Sequence, residues 1–124
     1  MGNGVQEAEI LGKLVEGKGV LGVVGMQARL APEVAYLRQL ISDGFVGNVL
    51  STTVIARGSG WGGMVENKST SSYLLDSRNG ATMLTIPTGH MLASLGYVFG
   101  DIEQVSAIVC NRRSEAVVGN TGES

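Results

Sequence analysis

Hydrophobic positions in the first 45 residues follow two different periods. Over residues 5–16, Val5, Ala8, Leu11, Leu14 and Val15 return every three or four places, so the spacing predicts a helix with one apolar face. Gly17 suits the position just after its last turn. Residues 19–27, "GVLGVVGMQ", are instead a nearly continuous β-branched run bounded by glycines. That pattern predicts a short buried strand, of the kind found in parallel sheets. Pro32 then fits the first turn of a second helix, with Val34, Leu37, Leu40 and Ile41 as its apolar stripe and the Asp43–Gly44 pair as its stop.

Beyond residue 48 the period changes again. Residues 49–57, "VLSTTVIAR", are rich in Val, Ile and Thr with partial alternation, which predicts a strand. Residues 58–72 form a glycine- and serine-rich loop. "YLLD" (73–76) reads as a short strand or a turn. Residues 80–99 predict a third helix, with Leu84, Met91, Leu95 and Val98 at helical spacing. Pro87 lies inside it and removes a backbone donor, so a kink or a late start near Thr88 is expected. Residues 101–111, "DIEQVSAIVCN", predict a last strand, and the tail from Ser114 is expected to fray.

The expected class is α+β: helix–strand–helix followed by a small antiparallel sheet with a packed helix. Segments 49–57 and 101–111 make only a two-stranded ribbon, which is marginal alone. The strand at 19–26 has no parallel neighbours. The sheet is therefore expected to be completed by oligomerisation, in a homodimer or a higher assembly.

Composition supports that picture. The chain has 124 residues, enough for one domain; 44% are apolar and 16% charged. Mean hydropathy is +0.20, more apolar than a solvated monomer needs. Net charge is −2, and the adjacent cations Arg112 and Arg113 form no extended basic stripe, so no nucleic-acid partner is expected. One cysteine, Cys110, excludes an internal disulfide framework and reads as a small buried hydrophobe; with a single histidine it cannot build a zinc site. No apolar run approaches the roughly 20 residues of a membrane span, and no export signal is visible. A cytoplasmic protein without a membrane partner is expected.

Two stretches carry a resemblance. "VVGMQARLAPEVAYLRQLISDGFVGNVLSTTV" resembles the segment joining the two domains of the glucose–fructose oxidoreductase / inositol dehydrogenase family. "NGATMLTIPTGHMLASLGYVFGDIEQVSAIV" resembles the helix and strand that follow, with the flavour of the fungal branch that includes the galactose-pathway repressor of yeasts. The resemblance covers roughly residues 3–112. It implies that residues 1–47 are the end of a nucleotide-binding half, 48–113 the start of a C-terminal sheet domain, and 114–124 a flexible tail. It also implies a scaffold cut at both ends: the glycine fingerprint and the lysine of the family's Glu-Lys-Pro-like motif would both precede this sequence.

The resemblance further implies a catalytic pair, an aspartate four residues before a histidine. His90 matches the histidine, but Ile86 stands at the aspartate position, and Ala93 stands where the fungal branch carries another aspartate. No G-x-G-x-x-G lies between a strand and a helix, so no dinucleotide and no other cofactor is expected.

His90, the one histidine, has two readings. It is a packed core or interface residue, or a lone general acid–base in a pocket. The candidate catalytic helpers are Tyr73 and Asp76, whose plainer role is turn chemistry in "DSRNG". Candidate substrate contacts are Arg29 and Gln27 at the end of the first predicted strand, Trp61 and Met64 in the loop, Asn79 and Met91. Two functions follow from this. One is a homo-oligomeric binding or interaction module that has lost dehydrogenase chemistry. The other is a cofactor-independent fungal enzyme of small-molecule biosynthesis, a cyclase, isomerase or lyase acting on an apolar small molecule around His90.

Overall fold

The computed structural model describes residues 4–58, 61, 63–65 and 68–119. Helix α1 runs Val5–Lys18, α2 Pro32–Ser42, the single turn α3 Lys68–Ser71, and α4 Gly89–Phe99. Short 3-10 turns occupy Gln27–Leu30, Ser72–Leu75 and Ser77–Asn79. The helices therefore lie close to where the apolar period places them.

Their ends have specific causes. Gly19, at φ 60°, closes α1, two residues beyond the expected Gly17. Its N–H donates to the Glu16 carbonyl and the Val20 N–H to the Val15 carbonyl, the paired bonds of a Schellman ending. Gly44, at φ 77°, ends α2 in the same way, with Gly44 and Phe45 N–H groups donating to Ile41 and Leu40. Pro32 occupies the first turn of α2, where its missing donor costs nothing.

Pro87 has the effect its chemistry demands. It cannot donate to the Met83 carbonyl four residues earlier. The Thr88 N–H donates there instead at 3.1 Å, and the Thr88 hydroxyl at 3.0 Å, so Leu84–Thr88 is a π turn. Regular α4 begins at Gly89. Upstream, the backbone N–H groups of Thr82 and Thr85 each donate to the other's hydroxyl, and the Thr85 hydroxyl donates to the Gly80 carbonyl. That small network anchors the start of the helical segment.

The expected antiparallel sheet is not what forms. The sheet among the described residues is a parallel two-residue ladder, β1 Met64–Val65 with β2 Val117–Val118. The three apolar runs at 19–26, 49–57 and 101–111 take up no regular secondary structure and form no ladder among the described residues. Segment 73–76 is a 3-10 turn running into Asp76 rather than a strand. The tail is also corrected as far as Gly119: Val118 is buried, 3% exposed, and pairs in the ladder, while the rest of the tail lies outside the described residues.

Packing centres on α4, which meets α2, the 27–30 turn and the π turn. Arg38 on α2 lies over the Tyr97 ring of α4, 4.3 Å from its centroid. The buried apolar residues among those described are Val65 and Val118, which pair in the ladder, and Ala81. Residues of the three apolar runs face solvent: Leu50 is 93% exposed, Ile55 95% and Ile108 95%. No helix among the described residues is long and apolar enough to cross a membrane.

The Arg38–Tyr97 contact ties α2 to α4, two helices that pack together. Arg38→Gln is expected to lower stability by about 0.5–1 kcal/mol, the usual worth of an exposed cation–π pair. Urea unfolding followed by circular dichroism measures it.

Candidate functional site

Helix α4 carries His90 in its first turn, half-buried. Its Nδ1 is shut off from solvent and has no hydrogen-bond partner. The Ser94 hydroxyl donates to the His90 backbone carbonyl at 3.0 Å, which leaves the ring unserved. Position 86 is an isoleucine, 37% exposed in the π turn, so nothing at that position orients the imidazole. Ala93 is equally unable to do so.

The proposed helpers are engaged elsewhere. Asp76 caps the 77–79 turn by accepting from the Arg78 N–H at 2.9 Å. The Arg78 guanidinium also forks onto both Asp76 oxygens, with Nη2–Oδ2 at 2.7 Å. The Arg78 side chain beside Asp76 holds this carboxyl below its ordinary 3.8, with the backbone bond adding to the effect. Asn79 donates its side-chain amide to the Tyr73 carbonyl at 3.1 Å. Tyr73, Asp76 and Asn79 thus belong to one self-contained turn.

The remaining candidates fall into two places. The turn bearing Gln27 and Arg29 packs on the helix that bears His90 and Met91, although both polar side chains are exposed. Met26 Cε lies near Gly89, 3.8 Å from where a Cβ would stand. Trp61 and Met64 lie in the other cluster, beside the ladder. Trp61 lines a cavity of about 780 Å³ whose wall includes neither His90 nor Tyr73 nor Met64 nor Met91. Its wall does include Arg112, Arg113 and Cys110, to which the residue pattern gives no shared role. Cys110 is exposed, not the buried hydrophobe expected.

A dinucleotide does not fit the described residues. Pyrophosphate binding needs a glycine loop opening a helix N-terminus. Gly17 and Gly19 lie at the end of α1 instead, and the described part of "GSGWGG" leads into β1. Among the described residues no group of three or more His, Cys, Asp or Glu is arranged to hold a metal ion.

A family model described as Gal80p, C-terminal domain, matches residues 32–124. The chain belongs to that family. It is 27% identical over 112 residues to the galactose/lactose metabolism regulatory protein GAL80 of Saccharomyces cerevisiae, covering 90% of this chain and 26% of that protein. It is 28% identical over 109 residues to the protein of the same name from Kluyveromyces lactis, covering 86% of this chain and 24% of that one. Dehydrogenase aclE of Aspergillus oryzae is 28% identical over 100 residues, 81% of this chain and 26% of the enzyme. The chain therefore spans about a quarter of the length of the curated relatives it matches. No solved structure matches it. The resemblance drawn from the His90 and Pro32 segments is borne out, and the relatives the chain matches include both regulatory proteins and a dehydrogenase.

The Asp76–Arg78 clamp has a clear pH signature. A depressed carboxyl contributes stability above its unfolded value and loses it as pH falls through the folded one. The turn is expected to hold at neutral pH and loosen in acid. Carboxyl NMR titration is expected to place Asp76 below 3.8 and to find it restored in Arg78→Ala.

Proposed function

We propose that this chain is an interaction module of oxidoreductase-like ancestry. It works without a dinucleotide and without dehydrogenase chemistry, and assembles with copies of itself in the cytoplasm. In this reading residues 1–47 descend from a nucleotide-binding half, 48–113 from the start of a sheet domain, and 114–124 are an appendage. Nucleic acid and membrane are not among its partners.

The observation that carries the reading is the uncovered apolar backbone. The accessible surface is 10238 Å², whereas a folded monomer of 12.9 kDa exposes about 6,300 Å². The difference, roughly 3,900 Å² per chain, corresponds to about 7,800 Å² across a dimer, above the roughly 2,000–5,000 Å² of most obligate interfaces, so more than one face of each chain is uncovered. The regulatory relatives support a role in binding, since they share most of this segment. Ile86 and Ala93 support the loss of dehydrogenase chemistry.

Sedimentation velocity over a hundredfold concentration range tests this. A dimer or larger species is expected. Ile55→Lys and Ile108→Lys are each expected to weaken it at least tenfold, because burying one isoleucine contributes about 1.5–3 kcal/mol. A well-folded monomer at every concentration, or a clear gain in thermal stability with NADH, would overturn the reading.

The orphaned Nδ1 of His90 favours a second reading, a cofactor-independent cyclase, isomerase or lyase that binds an apolar small molecule beside α4. A polar ligand atom there would satisfy the ring. If His90 is only packed, His90→Leu is expected to leave stability unchanged or raise it by about 1 kcal/mol, since an unsatisfied buried group is removed. Urea unfolding decides it, and a clear loss of stability would favour a hydrogen-bonded, functional imidazole.

A further inference from the structure

We infer that the cavity lined by Trp61, Arg112 and Arg113 is a binding site for a small amphipathic carboxylate, independent of His90. The cavity is about 780 Å³, within the range of about 300–1,000 Å³ that holds small ligands. One part of its wall is apolar, formed by Trp61, Leu74, Leu84 and Val109. Another part carries the guanidinium-bearing residues Arg112 and Arg113. Glu115 is the one acidic residue among the described residues of the wall, against the two arginines.

These cations are not used up by the fold. The ion pair formed among the described residues is Asp76–Arg78, and neither Arg112 nor Arg113 bonds a carboxylate there. Both residues are exposed, and a guanidinium fork is shaped to take a carboxylate in two parallel bonds.

Two glycines hold the walls in place. A Cβ at Gly63 would lie 2.5 Å from Arg113 Nη1 and 2.8 Å from its Cδ, so Arg113 lies flat on bare backbone. The ladder fixes that backbone: the Val117 N–H donates to the Gly63 carbonyl at 2.7 Å, and the Gly119 N–H to Val65 at 2.9 Å. The Arg113 N–H donates to Asn111 Oδ1 at 3.0 Å, which sets the turn that delivers the pair. Across the cavity a Cβ at Gly58 would lie 2.7 Å from Met83 Sδ and 3.0 Å from Trp61 Cδ1. Trp61 therefore also sits against a residue without a side chain.

The mixed wall selects the ligand. An inorganic anion would gain the charge but none of the apolar contact. A neutral hydrocarbon would gain the contact and leave the guanidinium fork unused. A carboxylate on a medium-length apolar body uses both.

The chain carries its own reporters, since Trp61 is the only tryptophan and Cys110, on the same wall, the only cysteine. Octanoate is expected to change Trp61 fluorescence saturably and to slow alkylation of Cys110 by N-ethylmaleimide. Octan-1-ol and acetate are each expected to bind at least tenfold more weakly. Arg112→Gln and Arg113→Gln are each expected to weaken octanoate at least tenfold, and Gly63→Ala to weaken it by displacing Arg113. Arg112→Gln alters a solvent-exposed side chain, so it reports even if the Gly63 variant misfolds. The inference is overturned by any of three results: octan-1-ol binding as well as octanoate, an arginine variant of native circular dichroism that keeps full affinity, or neither Trp61 nor Cys110 responding to 10 mM octanoate.

Discussion

An extended backbone cannot satisfy its own hydrogen bonds, and that constraint governs this chain. A helix closes its bonds within one segment, whereas a strand needs a neighbour for every N–H and C=O. Helices α1, α2 and α4 therefore form where their apolar periods fall. The runs at 19–26, 49–57 and 101–111 have the Val and Ile content that favours strands, yet find no ladder among the described residues. Their exposed groups are a template for added strands.

The energetics follow from the same constraint. Only Val65, Ala81 and Val118 are buried apolar residues among those described. The α2–α4 contact, with Arg38 over Tyr97, adds a second centre of order. Neither centre offsets the ordering entropy of a chain this long, which runs to about 1–2 kcal/mol for each residue fixed. Covering the apolar runs supplies what is missing. In the proposed reading that cover comes from copies of the chain, so assembly is coupled to folding rather than added to a finished domain.

Legibility in the sequence divides along the same line. Features set by bonds within a few residues were readable: Pro32 at the start of α2, Gly44 at its end, the disruption at Pro87, and the turn chemistry of Asp76. The end of α1 was misplaced from Gly17 to Gly19 because either glycine fits an αL cap, and only the bond pattern chooses. Features set by distant residues were not readable. A pattern gives each strand its shape but not its partner, so the parallel pairing of 64–65 with 117–118 was invisible and an antiparallel ribbon was expected. The Arg38–Tyr97 contact and the exposure of Cys110 were hidden for the same reason.

The site shows the same split. Ile86 and Ala93 are legible departures from a catalytic arrangement, and the structure adds that Tyr73, Asp76 and Asn79 serve their own turn. Among the described residues no group bonds His90 Nδ1, so no carboxylate orients the imidazole from that side. The concentration of charge and apolar surface lies instead at the ladder, where Gly58 and Gly63 let Trp61 and Arg113 press against backbone. A side chain at either glycine would fill the space those residues frame. That geometry suits binding, and it fits the proposed reading of the chain as a module that holds other molecules.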